Sequence, residues 1–267
     1  MIKREQCNEE VVLTKLHKVE LELLNEFHRI CELHHLDYFL DSGTALGAVR
    51  HKGFIPWDDD IDVGMLRDDY EKFLEFAPHS IQSGFYLQTH LVDRNYRHMH
   101  AKLRKLNTVF PEPGTDNLAC RGIFIDIFPF DSVSDVPWIS KIEIKIGRYL
   151  RSRLTIRKFG SKKNCYKKFL SRVLHLLPIS FFEGIFNAFL RCHHNNTNHI
   201  VCHFYHMRLN KPFEKKWFVP TKRIIFESAE YRIMGDYDSY LKAMYGDYMQ
   251  LPPESKRTVH FNGEIQF

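Results

Sequence analysis

The sequence predicts a mixed α+β fold, in which a central mixed sheet is flanked by helices, in one large domain over residues 1–267 or in one domain with an insertion. Three observations support this prediction. The chain begins with apolar residues at helical spacing, continues with several short runs of strand character, and contains a long basic segment of helical pattern. Hydrophobic residues make up 44% of the chain, which is enough for a sizeable core.

The first elements are a long helix, a short strand and a second helix. Apolar residues at steps of three and four predict an amphipathic helix over residues 10–36. The apolar run Tyr38–Leu40 is expected to be a strand. A polar turn containing Gly43 and Thr44 then opens a helix that extends to about Arg50. Such a turn leaves backbone N–H groups available to phosphate oxygens, although this signal is weak by itself.

An acidic block follows, with four carboxylates within five positions: Asp58, Asp59, Asp60 and Asp62. Apolar neighbours favour a strand, in which Asp58, Asp60 and Asp62 project to one side and Asp59 to the other. Three carboxylates on one face repel one another unless a cation lies among them. Mg²⁺ or Mn²⁺ suits a set of oxygen ligands with no Cys or His. The alternative is a solvated acidic turn.

Local signals predict three further elements. A helix is expected over residues 67–77 and a strand over Phe85–Thr89. Near the C-terminus, Asp236 is expected to cap a helix over residues 237–245 that ends at Gly246.

The stretch His98–Arg104 alternates polar and apolar residues, which predicts a strand with one polar face. Four basic residues share that face: His98, His100, Lys102 and Arg104. If the face borders the carboxylates, it supplies positive charge for a phosphorylated substrate. The alternative is an ordinary solvated strand face.

A second apolar stretch, Gly122–Pro129, has strong strand character and contains one charged residue, Asp126. An ionised carboxylate in such a run is costly unless it is paired or bound to a metal. Asp126 is therefore a candidate metal ligand, with a structural salt bridge as the alternative.

Residues 141–172 change the character of the chain, with twelve Lys or Arg against one acid, Glu143. Apolar residues are interleaved at roughly helical spacing, and very apolar sequence follows over residues 173–186. This combination predicts a patch that binds a membrane surface. Nucleic-acid binding would use similar charge, and a basic helical face in solvent is a third interpretation.

The cysteines help to predict the cellular compartment and whether the chain has a zinc site. The six cysteines include no CxxC pair, which favours a reducing compartment. We find no signal peptide and no charge-free stretch of about 20 residues, and therefore expect a cytoplasmic protein. Residues 192–206 are rich in His and Cys, but their spacing fits no familiar zinc finger.

Several motifs occur together along the chain: Asp41-Ser42-Gly43-Thr44, Leu46-Gly47, Arg50, Gly53-Phe54-Ile55-Pro56-Trp57-Asp58-Asp59-Asp60-Ile61-Asp62, Gly122-Ile123-Phe124-Ile125-Asp126-Ile127-Phe128-Pro129 and Tyr245-Gly246-Asp247-Tyr248. In these motifs the chain resembles the LicD family of the nucleotidyltransferase superfamily. The Trp-Asp-Asp-Asp-Ile-Asp block is hard to obtain by chance. Residues 135–215 carry no motif of the family, so any function predicted there depends on pattern alone.

The resemblance implies a nucleotidyltransferase-like sheet in one LicD-like transferase domain, with residues 135–215 as a basic helical insertion. It implies metal-dependent transfer of a phospho-alcohol, such as phosphocholine or ribitol phosphate, from a CDP-linked donor. The acceptor would be a hydroxyl of a cell-surface glycan, such as lipopolysaccharide or teichoic acid, or of a lipid-linked saccharide precursor. CMP would be released.

The same resemblance assigns the carboxylates. Asp60, Asp62 and Asp126 are the expected catalytic residues, and with Asp58 they would hold Mg²⁺ or Mn²⁺. Asp126 would also orient or deprotonate the acceptor hydroxyl. Asp59 is expected to be structural.

The donor would be bound by five further residues. Gly43 and Thr44 would cradle phosphate through backbone N–H groups and a hydroxyl. Arg50, Lys102 and Arg104 would contact the pyrophosphate. An alternative for Arg50 is a structural ion pair with one of two aspartates, Asp41 or Asp59.

Two other functions compete with this hypothesis. The first is a nucleotidyltransferase that adds NMP to an acceptor and releases pyrophosphate. The second is a non-catalytic, membrane-associated binding module that uses the basic segment. We expect no nucleic-acid partner, and we expect a peripheral position on the anionic inner face of the membrane, near the acceptor.

Overall fold

The structure is a computed structural model that describes residues 2–93, 95–96, 98–112, 118–159, 181, 184–185, 188–189, 197–202, 211–259, 261 and 264–267. Side chains are described except at residues 2–9 and 152–159. The chain divides into two compact units. The first comprises Met1–Tyr96, His100–Pro129 and Trp217–Phe267, and the second comprises Arg97–Met99 and Phe130–Lys216. The second unit covers nearly the same residues as the expected insertion over 135–215.

The first unit contains most of a mixed sheet. Its strands are β1 (Phe39–Leu40), β2 (Asp62–Leu66), β3 (Phe85–Gln88), β4 (Ala101–Lys105), β5 (Phe124–Val133, which continues into the second unit), β8 (Lys222–Phe226) and β9 (Ala229–Ile233). They are ordered β3-β4-β5-β2-β1-β9-β8. The pairs β3–β4, β4–β5, β1–β2 and β8–β9 are antiparallel, and β1 runs parallel to β9. The predicted mixed α+β fold is confirmed.

Four helices of the first unit accompany these strands: α1 (Ile2–Leu33), α2 (Ser42–Arg50), α3 (Arg67–Ser80) and α6 (Tyr237–Tyr245). The short α5 (Lys215–Phe218) lies where the two units meet in sequence. The fully buried ring of Phe27 in α1 lies 5.0 Å from the rings of both Tyr38 and Phe73. The apolar stripe of α1 therefore packs on the start of β1 and on α3, as its helical spacing predicts.

The C-terminal helix confirms its predicted bounds. Asp236 caps α6, and its side chain accepts a hydrogen bond from the N–H of Ser239 (3.1 Å). Gly246 ends the helix with a φ of +70°, a left-handed conformation that glycine adopts without strain.

The acidic block is arranged differently from the prediction. We expected Asp58, Asp60 and Asp62 to share one face of a strand, but β2 begins only at Asp62. The residues before it leave a turn in which the N–H of Asp58 donates to the carbonyl of Ile55 (2.9 Å). Because these backbone groups are used locally, they are not available to a sheet partner.

The polar face of the strand predicted over His98–Arg104 also differs. The strand runs from Ala101 to Lys105, and His98 lies outside it. The alternative of a solvated face is wrong, because Lys102 is only 3% exposed and Arg104 only 1%. Buried charges of this kind require partners inside the protein.

The second unit is built around the last part of β5. Residues Asp131–Val133 pair with β6 (His199–Val201), which pairs with β7 (Phe213–Glu214). The long helix α4 (Pro137–Phe159) adds Ile144 to a buried cluster with Val133 and Val201.

Several predictions fall on other parts of the chain. The basic segment beyond residue 159, most of the apolar stretch 173–186 and most of the His/Cys-rich stretch 192–206 lie outside the described residues. No helix within the described ranges is long and apolar enough to cross a membrane.

Candidate active site

The acidic residues ahead of β2 are held by a side chain from α1. The Nε2–H of His17 donates to the carbonyl oxygen of Asp58 (2.8 Å). The imidazole ring of His17 also stacks on Phe54, with 3.9 Å between ring centroids and 6° between ring planes. These contacts replace the strand pairing that this segment lacks, and they fix the direction in which Asp58 leaves its turn.

The start of β2 is held by three elements. The backbone N–H of Asp62 donates to the hydroxyl oxygen of Thr44 in α2 (2.8 Å). The carbonyl of Asp62 accepts from the N–H of Asp41, which precedes α2 (2.9 Å). The N–H of Asp126 in β5 donates to the carbonyl of Ile61 (2.9 Å). The fold therefore brings the turn at Gly43 and Thr44, the acidic block and Asp126 together.

Electrostatics also indicate that the carboxylates lie near one another. Loss of hydration and repulsion, chiefly from Asp58 and Asp126, raise the pKa of Asp60 to about 7, although Asp60 remains accessible to solvent. Loss of hydration and the charge of Asp59 raise the pKa of Asp58 to about 6, against the opposite effect of Arg50. Loss of hydration, followed by the charges of Asp60 and Asp126, raises the pKa of Asp62 well above its usual range. Such a set favours a bound cation.

Glu20 of α1 is a fifth carboxyl group at this site, and we did not predict it. It is 1% exposed, and burial, followed by the charges of Asp60, Asp59 and Asp58, raises its pKa well above the usual range. Within the described part of the chain its Oε2 has no hydrogen-bond partner. Because Glu20 falls on the apolar repeat of α1, four residues after Leu16, an acid at a core position was the available signal.

Asp126 is paired with two side chains, one in β4 and one in the residue just before β4. The register places Lys102 directly opposite Asp126 on the neighbouring strand, and Lys102 Nζ lies 3.3 Å from Asp126 Oδ1. His100 Nε2–H donates to the same oxygen (2.8 Å). Burial lowers the pKa of His100, against the effect of Asp126, which favours the neutral imidazole. The predicted polar face of β4 thus borders a site carboxylate.

Arg104 is enclosed in a polar network. Its Nη2 donates to Glu112 (2.6 Å), its Nη1 to the carbonyl of Gly122 (2.7 Å), and its Nε to the side-chain oxygen of Gln88 (2.5 Å). Glu112 also accepts from Lys102 (2.9 Å). As placed, Arg104 therefore supports Lys102 through Glu112, and all its nitrogens donate to protein acceptors. Glu112 is a second residue that we did not predict.

Arg50, the last residue of α2, interacts with the acidic block and with the C-terminal segment. Its Nη1 donates to the carbonyl of Tyr248 (2.8 Å) and its Nε to His51 Nδ1 (3.4 Å). Its charge opposes the rise in the pKa of Asp58, so the guanidinium is close enough to interact with that carboxylate. These hydrogen bonds tie α2 to the C-terminal segment.

Gly43 leaves room for Asp58. A Cβ at this position would lie 2.6 Å from Asp58 Oδ2, a distance to another heavy atom that Cβ atoms in proteins essentially never show. Gly43 and Thr44 lie at the beginning of α2, whose first turn is capped by Asp41. Phosphate binding by this turn remains a prediction.

Gly43→Ala is expected to lower turnover by roughly 10–10²-fold, because the new methyl group displaces the Asp58 carboxylate from its position. Steady-state kinetics and circular dichroism would measure the effect. The matched control is Gly184→Ala, where a new Cβ meets no atom within 4 Å. Wild-type turnover in Gly43→Ala would contradict a role for Asp58 in holding the metal ion.

The chemistry of these side chains suits a hard divalent cation. The donors are carboxylate oxygens, and the unpartnered Oε2 of Glu20 lies beside them. As they stand, however, no three His, Cys, Asp or Glu side chains among the described residues are grouped so that they could hold a metal ion. A cation would therefore have to draw the carboxylates together as it binds.

Comparisons with known proteins identify the family. A family model described as LicD/FKTN/FKRP, nucleotidyltransferase domain, matches residues 35–145. Over 248 residues the chain is 31% identical to the lipopolysaccharide cholinephosphotransferase LicD of Haemophilus influenzae, an alignment that covers 90% of this chain and 92% of that protein. The chain belongs to the LicD family. Uncharacterised proteins of Rickettsia typhi and Rickettsia prowazekii are 39% and 38% identical over 64 residues, which is 24% of this chain and 21% and 24% of theirs.

The LicD family model covers the part of the chain in which all the predicted site residues occur, from Gly43 to Asp126. His17 and Glu20 lie before it, on a helix whose residues reach the acidic block only through the fold. The resemblance that we inferred from motifs is thus confirmed at the level of the family.

Proposed function

We propose that this LicD-family protein transfers a phospho-alcohol group, phosphocholine or a similar group, from a CDP-linked donor to a hydroxyl of a cell-surface glycan or its lipid-linked precursor, with release of CMP. Two findings support the proposal. The relative from Haemophilus influenzae, aligned over 90% of this chain, is named for cholinephosphate transfer to lipopolysaccharide. The backbone of Asp62 also bonds to Thr44 near the start of α2, and that of the neighbouring Ile61 bonds to Asp126.

Asp60, Asp62 and Asp126, with Asp58, would hold Mg²⁺ or Mn²⁺ at this site. When bound, such an ion neutralises the pyrophosphate and the charge that develops on the leaving group. Glu20 is a further, buried acid whose pKa is raised by burial and by the charges of Asp60, Asp59 and Asp58. Loss of hydration and repulsion raise the pKa values of Asp58 and Asp60, which supports this assignment because a bound cation would relieve the repulsion.

The chain itself positions the reacting groups. Thr44 holds the backbone of Asp62 at the start of β2, and His17 holds that of Asp58, which lies ahead of the strand. His100 and Lys102 fix the Asp126 carboxylate from β4. In this proposal Asp126 orients the acceptor hydroxyl and takes its proton as the oxygen attacks phosphorus.

Arg50 is the cation best placed to meet the donor phosphates, since it interacts with Asp58 and carries no carboxylate partner at hydrogen-bond distance in the described structure. The ammonium group of Lys102 is paired with Asp126 and adds positive charge beside that carboxylate. The buried Arg104 acts on the site only through Glu112 and Lys102.

The observation that carries this proposal is the bond from the Asp126 N–H to the carbonyl of Ile61, which brings Asp126 beside the start of β2, where its charge acts on Asp62. Product analysis tests it. Purified protein with CDP-choline, Mg²⁺ and a lipopolysaccharide-derived saccharide is expected to release CMP and to form a phosphocholine-bearing saccharide detectable by mass spectrometry.

The same assay distinguishes the competing functions. Pyrophosphate release from an NTP, without CMP release from CDP-choline, would favour nucleotidyl transfer. The assay is repeated with a series of CDP-alcohols and with each NTP. If none of these compounds gives a product with wild-type protein, the catalytic proposal is overturned. Glu230→Gln, which changes an exposed acid on β9, serves as a matched control for carboxylate substitutions.

A further inference from the structure

Helix α4 of the second unit has one exposed apolar stripe. Trp138, Ile142 and Ile146 follow one another at intervals of four residues, and their exposed fractions are 65%, 47% and 41%. Side chains at this spacing lie on the same face of a helix. Tyr149, also exposed, continues the stripe by one turn. We call these four residues the α4 stripe.

The opposite face of α4 is the one that packs on the protein. Ser140 and Ile144 are buried there, and Ile144 joins Val133 and Val201 in the small core of this unit. Glu143, the single acid of the basic segment, accepts a hydrogen bond from the N–H of Ser134 (2.8 Å). Helix α4 therefore has a separate face that packs on the core, and the α4 stripe is an additional apolar surface.

Positive charge borders the α4 stripe along one edge. Lys141 and Lys145 are both exposed and lie one helical turn apart, between the stripe and the buried face. Glu143 is the one acid among the α4 residues whose side chains are described, and it is turned toward the backbone of Ser134. A row of Trp, Ile and Tyr side chains beside lysines is the composition of helices that lie in the interface of an anionic bilayer.

We propose that the α4 stripe, with Lys141 and Lys145, docks this protein on the surface of an anionic lipid membrane. The apolar side chains enter the region between headgroups and acyl chains, and the lysines contact lipid phosphates. Trp138 and Tyr149 suit this depth because their rings are amphipathic. Nucleic acid is a poorer fit for this surface, because an exposed row of isoleucines gains nothing from contact with a phosphate backbone.

This inference does not depend on the proposed transfer reaction. It concerns binding alone, and Asp62→Asn, a change in the other unit, is expected to bind membranes as the wild type does. A failure of membrane binding and a failure of catalysis are therefore distinguishable.

Vesicle co-sedimentation of the full chain tests the proposal. Binding is expected to vesicles of phosphatidylglycerol mixed with phosphatidylcholine, to be much weaker with phosphatidylcholine alone, and to weaken as salt is added. Ile142→Glu is expected to reduce binding by roughly tenfold or more, because a charge would enter the apolar region. Ile225→Glu, at an isoleucine of similar exposure on β8, is expected to bind normally.

A second measurement reports on the surface itself. Tryptophan emission is expected to shift to shorter wavelength when vesicles are added, and Trp138→Phe is expected to remove that shift while retaining binding. Absence of wild-type binding at low ionic strength, equal loss in Ile142→Glu and Ile225→Glu, or tight binding of RNA without vesicle binding would overturn the proposal.

Discussion

Asp62→Asn is expected to abolish transfer, by roughly 10²–10³-fold or more, while the protein stays folded. The backbone of Asp62 bonds to Thr44 of α2 and to Asp41, and lost hydration, followed by the charges of Asp60 and Asp126, raises the pKa of its carboxyl group well above the usual range. An amide of the same shape cannot supply the negative charge that attracts a cation.

The fold should tolerate this change, because Asp62 is held through its backbone. Its N–H donates to Thr44 and its carbonyl accepts from Asp41, and both bonds persist in the asparagine variant. Removing one of several mutually repelling charges also relieves repulsion, so the melting temperature of the metal-free variant is expected to equal or exceed that of the wild type.

Turnover, circular dichroism and melting temperature measured on the same preparation check this prediction. Glu230→Gln, which removes an exposed carboxylate outside the site, is expected to leave turnover unchanged. Full activity of Asp62→Asn in the presence of Mg²⁺ would show that the site has been assigned to the wrong residues.

Removal of divalent cations is expected to stop the reaction, and Mg²⁺ or Mn²⁺ is expected to restore it. Loss of hydration and mutual repulsion raise the pKa of Asp60 to about 7 and that of Asp58 to about 6, and a cation would relieve the repulsion. It would also stabilise the folded protein. At a concentration of about 100 times the dissociation constant, binding contributes about 2.7 kcal/mol, provided that the unfolded chain does not bind the ion.

Differential scanning fluorimetry would detect this stabilisation without any substrate. For a chain of this size, 1 kcal/mol shifts the melting temperature by roughly 2–4 °C, so a shift of about 5–10 °C is expected at saturation. Asp60→Asn and Asp62→Asn should show little of this shift, whereas Glu230→Gln should show all of it. Activity that is insensitive to EDTA, together with no shift on adding either ion, would exclude the assigned metal site.

Much of the site could be predicted from the sequence because its chemistry is concentrated in short motifs. The acidic block and the lone charge of Asp126 stand out from their neighbours by composition alone. What these residues contact could not be predicted in the same way. The partners of Asp126 come from β4, and the pairing of Lys102 with Asp126 depends on the strand register. Glu112 lies beyond β4 and reaches Lys102 only in the folded chain.

The sequence by itself determined the features that depend on neighbours along the chain. Asp236 and Gly246 mark the ends of α6 because a cap and a left-handed glycine act within one turn of the helix. The amphipathic α1 and the family motifs are likewise properties of continuous stretches.

The tertiary structure alone decided where β2 begins and which side chains support the acidic block. His17 and Glu20 are separated from Asp58 by about forty residues, and the hydrogen bond of His17 and the charge interaction of Glu20 with it depend on how α1 packs. It also decided that the polar face of β4 is buried rather than solvated. The physical reason is that burial and hydrogen bonding between distant residues outweigh the local preference of any one segment.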